Sequence, residues 1–143
     1  MAQRDAAGSV PAVGASAEAC TRVTHADLAC AVGIAASDVF PPVYATSRLV
    51  ALMEIAAARV LTQYLEAGEM SVGISVDIVH TAATPVGAEV IATATLRERE
   101  GGRFVFDVSA RDPAGEIGRG THRRAVVDAG RLAMGASKRV TGA

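Results

Sequence analysis

The chain has 143 residues, a formal net charge of −1 and a pI near 6.3, and half of its residues are hydrophobic. That balance excludes a nucleic-acid binder that works by phosphate neutralisation, and the absence of Trp with only 3% aromatics excludes base-stacking platforms. No apolar run is long enough to span a bilayer, and Cys20 and Cys30 form neither a CxxC motif nor a disulfide framework.

Residues 1–16 are rich in Ala, Gly and Ser and are expected to form a flexible N-terminal arm. No charged segment followed by an apolar one opens the chain, so a reduced, cytoplasmic setting is expected. Residues 17–128 read as one domain, long enough to bury a core without staples. Residues 17–24 (AEACTRVT) are predicted as a first strand, although Ala and Glu are weak strand formers. Residues 25–39 are ambiguous between a short helix and a strand. Phe40-Pro41-Pro42 then ends any regular element, because neither proline can donate.

Residues 46–66 (TSRLVALMEIAAARVLTQYLE) read as one long helix, free of Gly and Pro and rich in strong helix formers. Thr46 or Ser47 is the expected N-cap, and Gly68 the expected C-terminal cap. At a helical period Arg48, Arg59, Gln63 and Glu66 share one face. Val50, Ala57, Leu61 and Leu65 share the opposite face, and Glu54 lies among them.

Beyond Gly68 the period changes to two. Met70, Val72, Ile74, Val76 and Ile78 alternate with Ser71, Gly73, Ser75 and Asp77, and His80 continues the apolar series. Residues 84–87 are a turn. A strand over 88–97 keeps Val90, Ala92, Ala94 and Leu96 in phase, and the polar stretch 98–102 ends in Gly-Gly as a hairpin connection. Residues 103–111 place Phe104, Phe106, Val108 and Ala110 on one side; a turn at 112–115 leads into the last strand, 116–128. Residues 129–143 are small, polar or basic and suggest a frayed C-terminal tail. The short connections imply an antiparallel sheet. An α+β fold with that sheet curled around one central helix would cover both apolar surfaces.

Glu54 and His80 now stand out. Each is ionisable, and each falls on the side of its element that shares phase with buried apolar residues. A carboxylate there is costly unless it is paired, and an imidazole beside it would supply acid–base chemistry near neutral pH. Thr46 adds a hydroxyl at the helix N-terminus, where the dipole favours a developing oxyanion. The structural readings of the same residues are an ion pair for Glu54, a satisfied histidine for His80 and an N-cap for Thr46. Gly73 inside a strand marks a bulge or a close approach of another backbone. His122 and Arg124, in GRGTHRRA, read by default as part of a charged edge strand. No HExxH or Cys/His cluster points to zinc, and Gly118-Arg119-Gly120 lacks the context of a dinucleotide fingerprint.

Three blocks, FPPVYATSRLVALME (40–54), SVGISVDIVHTAATPVG (71–87) and IGRGTHRRAVV (117–127), together resemble the fluoroacetyl-CoA thioesterase family. That family is one of the hot-dog-fold acyl-CoA thioesterases. The similarity runs from about Phe40 to Val127. The resemblance implies a site of Thr46, Glu54 and His80, with the Gly73 N–H offered to the thioester carbonyl and Arg124 near the acyl-CoA. It also implies a homodimer with its sites at the subunit interface. Phe40 matches one of two aromatic residues that lid the acyl pocket in the family; the companion position falls on Ser37.

The expected activity is hydrolysis of a short acyl-CoA thioester to free acid and CoA, with fluoroacetyl-CoA or a related small acyl group as substrate. In this reading His80 acts as base and then acid, and Glu54 activates water or attacks the carbonyl. Thr46 positions Glu54 or the water. No metal or redox cofactor is required, coenzyme A being part of the substrate, and no nucleic acid or membrane partner is expected. Two alternatives stay open: an enoyl-thioester hydratase or dehydratase on the same fold, and a non-catalytic acyl-CoA binding module.

Overall fold

The computed structural model describes residues 10–142. The elements run β1 (Ser16–Arg22), two short 3-10 turns (His25–Asp27 and Ala29–Ala31), α1 (Thr46–Thr62), β2 (Glu69–His80), β3 (Glu89–Glu100), β4 (Arg103–Asp112), β5 (Gly115–Asp128) and α2 (Ala129–Thr141). The five strands form one antiparallel sheet in the order β1-β3-β4-β5-β2. The sheet curls around α1, which packs against every strand. This is the arrangement that the apolar surfaces required.

The core lies between helix and sheet. α1 contributes Leu49, Leu52, Met53, Ala56, Ala57, Val60 and Leu61, all buried. β3 contributes Val90, Ala92, Ala94 and Leu96, and β4 contributes Phe104, Phe106, Val108 and Ala110, in the phases expected from the sequence. Burying each large apolar side chain stabilises the fold by about 1.5–3 kcal/mol. The small Ala92 and Ala94 let the sheet close onto the helix.

Several expectations change. β2 does not pair with β3, although only eight residues separate them; it pairs with β5 and forms a sheet edge. β5 is therefore an interior strand, not a charged edge, and His122 and Arg124 are buried on it. β2 also carries a bulge between Gly73 and Ser75. Gly73 pairs with Arg124, whereas Val76 pairs with His122 and His80 with Gly118. Paired residues share a face, so Ser71 and Gly73 face α1 before the bulge and Val76, Ile78 and His80 face it afterwards. Met70 is consequently 60% exposed instead of lying in the core.

The helix ends differ as well. Ala45 is the N-cap, and Thr46 is the first helical residue. The helix stops at Thr62, capped by Gln63, so Gly68 (φ +84°) is a turn residue before β2 and not the cap. Part of the N-terminal arm is tied down: Gly14 N–H donates to the Leu96 carbonyl and Leu96 N–H to that of Ala15, each at 2.8 Å. Residues 1–9 lie outside the described residues. Where the sequence suggests a frayed tail, α2 forms: Asp128 accepts from Arg131 N–H at 2.8 Å and left-handed Gly142 closes the last turn. Lys138 and Arg139 complement the helix dipole there.

Candidate active site

Two groups of side chains bridge α1 and the sheet, each beside its own cavity. The first contains Thr46, at the first turn of α1, and His80, at the end of β2. Thr46 Oγ1 and His80 Nδ1 lie 2.8 Å apart in a hydrogen bond. Local structure fixes both. Ala45 N–H donates to the Asp27 carbonyl, and Tyr44 N–H to that of Thr84, at 2.9 and 2.8 Å. Just past His80, Thr81 N–H donates to the Ile117 carbonyl at 2.8 Å. Gly118, opposite His80, has no side chain; a Cβ there would stand 2.8 Å from the Val79 carbonyl and 3.0 Å from Leu49 Cδ2.

His80 Nε2 is buried and has no hydrogen-bond partner among the described residues. Burial lowers the His80 pKa below the ordinary value of 6.5, and the nearby Ala82 backbone opposes that shift. The ring is thus neutral at pH 7 and has a nitrogen to offer. It opens into a cavity of about 420 Å³ lined by Phe40, Pro41, Val43, Tyr44, Thr46 and His80. Phe40 is half exposed at its rim.

The second group is built on Arg124. Its Nε donates to Ser71 Oγ and its Nη2 to the Ser71 carbonyl, both at 3.0 Å. Its Nη1 reaches Glu54 Oε1 at 3.3 Å and His122 Nε2 at 3.2 Å. His122 Nδ1 contacts the Ser75 carbonyl at 2.8 Å, and its Nε2 lies 3.9 Å from Glu54 Oε1. Burial is the largest cause lowering the pKa of both His122 and Arg124; Glu54 opposes it in each case. Gly73 lies directly against this group, since a Cβ on it would collide with Glu54 Oε1 and stand 3.3 Å from His122 Cε1. A cavity of about 180 Å³ opens between Val50, Glu54, Gly73, Ile74 and His122.

Thr46, His80 and Phe40 line one cavity, Glu54 and Gly73 line another with buried Arg124 bonded to Glu54, and the six are not one cluster within a chain. Glu54 is held by Arg124 and His80 by Thr46. The reason is distance along the helix: Thr46 and Glu54 are eight residues apart, about 12 Å at 1.5 Å per residue. Thr46 accordingly orients His80, not Glu54. The Glu54 side chain is 41% exposed, at the margin of the buried face instead of inside it.

Ser71 and Ser75 carried no sequence signal, being short polar residues in a strand. His122 did carry one. It shares the period-two phase of Arg124 and Val126, so inward placement was readable once β5 is taken as interior. Among the described residues no group of three His, Cys, Asp or Glu could hold a metal ion.

Comparison with known proteins identifies the family and the fold. Residues 23–130 match the family described as fluoroacetyl-CoA-specific thioesterase. The fluoroacetyl-CoA thioesterase of Streptantibioticus cattleyicolor is 52% identical over 88 residues, 62% of this chain; the match spans 63% of that relative's own length. A variant of the fluoroacetyl-CoA thioesterase FlK, solved with fluoroacetate, superimposes with a TM-score of 0.85 at 37% identity, covering 90% of this chain and 98% of that one. A Thermus thermophilus thioesterase superfamily member gives 0.81 at 27% identity, over 92% and 93% of the two chains. The fold is therefore the hot-dog fold, and the chain belongs to the fluoroacetyl-CoA-specific thioesterase family.

Proposed function

We propose that this protein hydrolyses a short acyl-CoA thioester, fluoroacetyl-CoA or a closely related small acyl ester, to the free acid and CoA. The observation that carries the reading is the Thr46–His80 hydrogen bond of 2.8 Å, which holds a ring with a buried, unpartnered Nε2 beside a cavity that Phe40 also lines. Family membership supplies the reaction class.

The working unit is a homodimer in this proposal. β2 is a sheet edge, and Ile74, Val76 and Val79 on it are exposed apolar residues. An open apolar edge is a pairing surface. Antiparallel pairing of two β2 strands about a twofold between Val76 and Asp77 would set Gly73 of one opposite His80 of the other. The Glu54 group of one subunit then meets the Thr46–His80 pair of its neighbour, completing a site that one chain holds in halves.

Glu54 either deprotonates the attacking water or adds to the carbonyl to give an anhydride that water opens. The Gly73 N–H donates to the oxyanion, a contribution of about 3 kcal/mol for one such donor. His80, neutral before reaction, takes the water's proton, by way of Glu54 in the first course and directly from the water that opens the anhydride in the second, and passes it to the thiolate of CoA. Arg124 neutralises Glu54 and faces the acyl group, and Phe40 covers the acyl end. No metal or redox group is required by these steps. The proposed setting is the cytoplasm; among the described residues no helix is long and apolar enough to cross a membrane.

The test is thiol release from acetyl-CoA and fluoroacetyl-CoA, followed with a chromogenic thiol reagent on protein whose dimeric state has been checked by light scattering. His80→Ala and Glu54→Gln should each lower the rate by at least about a hundredfold. Unchanged rates in both variants, or an enoyl absorbance change without thiol release, would overturn the reading.

A further inference from the structure

His122 is the most enclosed ionisable side chain on the sheet, 1% exposed, and the reaction outlined above gives it no step. Its surroundings define its state. Nδ1 faces the Ser75 carbonyl at 2.8 Å, and a carbonyl can only accept. Nδ1 therefore carries the proton. Nε2 faces Arg124 Nη1 at 3.2 Å, and a guanidinium can only donate. Nε2 must then present a lone pair. Both contacts are satisfied only by the neutral Nδ1–H tautomer.

We propose that His122 is a positioning residue for the reaction: its Nε2 lone pair orients the Arg124 guanidinium so that Nη1 meets Glu54 Oε1, and its Nδ1–H pins the β2 bulge that carries Gly73. Arg124 has three other contacts. Two go to Ser71 and fix the Nε/Nη2 side of the guanidinium, and one goes to Glu54. Glu54 is partly exposed and free to swing, so it cannot by itself fix Nη1. Among the described residues the other group within hydrogen-bond distance of Nη1 is the buried His122. Through Arg124 and Ser75, one ring thus couples the acid on α1 to the backbone donor on β2. The elements packed around it present Glu54 from α1, Arg124 from β5, Ser71 and Ser75 from β2 and the apolar Phe106 from β4.

This inference rests on the hydrolase reading for its kinetic consequence, so its test has one readout that needs no turnover. In the wild-type dimer, a proton–nitrogen correlation spectrum of the His122 ring should show a protonated Nδ1 and an unprotonated Nε2 at pH 7. A protonated Nε2 overturns the proposal.

The second readout uses two substitutions that split the ring's functions. In His122→Asn an amide N–H stands near the Nδ1 position, and the acceptor facing Arg124 is lost. In His122→Gln an amide oxygen stands near the Nε2 position, and the donor to Ser75 is lost. With acetyl-CoA, His122→Asn should lose about 10- to 100-fold in kcat, the scale of an ångström-size misplacement. KM should change little. His122→Gln should retain at least about tenfold more kcat than His122→Asn at comparable thermal stability. Equal losses in the two variants, or full kcat in His122→Asn, overturn the positioning role. A wild type that releases no thiol from any acyl-CoA overturns the hydrolase reading instead, and the ring spectrum alone then decides how His122 holds Arg124.

Discussion

Replacing Gly73 by alanine should separate activity from stability. The backbone at Gly73 has no positive φ, so alanine is conformationally acceptable there. Such a replacement stabilises by about 0.4–1 kcal/mol through the unfolded chain. The obstacle is the Glu54 carboxylate, against which the new Cβ would collide; His122 Cε1, at a tight 3.3 Å, need give by only a few tenths of an ångström. Glu54 is the end of a flexible side chain, 41% exposed, so it yields by turning outward. It then loses its 3.3 Å contact to Arg124. A charge-assisted contact of this kind, discounted for solvent screening, is worth about 1 kcal/mol. The two stability terms nearly cancel, and the shift in Tm should stay within about 5 °C for a chain of this size. The rate should not be spared: displacing the carboxylate by about an ångström costs roughly a hundredfold, or about 2.7 kcal/mol of barrier. Thiol release and calorimetry on the same preparation make the comparison. Because Glu54 is the group struck, Gly73→Ala should add little to the loss already caused by Glu54→Ala. Retention of the wild-type rate within about threefold, or a drop in Tm beyond about 10 °C, would refute the reasoning.

Two further outcomes are expected. Thr46→Val removes the hydroxyl that orients His80; it should lower thiol release by about tenfold while costing only about 1 kcal/mol by denaturant titration. The pH dependence of stability should carry the mark of both lowered histidines. His80 and His122 bind their protons less readily folded than unfolded, because burial disfavours the charged ring. As pH falls through the ordinary value of 6.5, the unfolded chain takes up protons first and stability is lost, down to the folded-state values and no further. Calorimetric Tm should therefore fall between pH 7.5 and pH 5, and His122→Gln should flatten that slope. A Tm independent of pH over that interval in wild type would contradict the placement of both rings.

Much of the fold was legible because periodicity reports burial directly. The unbroken run after Thr46 and the phases of Val90–Leu96 and Phe104–Ala110 needed no tertiary knowledge. β2 was harder. A bulge leaves no mark beyond one glycine, and past it the side chains change faces. Strand order is also absent from local pattern, so β5 looked like an edge and His122 looked superficial. α2 had its signals in Asp128, Lys138, Arg139 and Gly142, but Gly130 and Gly135 depress helix propensity by about 1 kcal/mol each and hid it. For the site, facing direction was readable and position along the axis was overlooked. Glu54 and Thr46 do both meet β2, yet two helical turns separate them, and the carboxylate found Arg124 instead.

The extra residue at Ile74 has an arithmetic consequence. Gly73 and His80 are separated by an odd number of positions, and in a regular strand odd separation sends two side chains to opposite sides. The slip at Ile74 reverses that parity, so Gly73, against which the Glu54 carboxylate packs, and the His80 imidazole lie on the same face of β2. Excising any one residue between them would leave the sheet able to form but turn one of the two positions to the opposite face. Spacing within this stretch is thus under a stricter constraint than the identity of most residues that fill it.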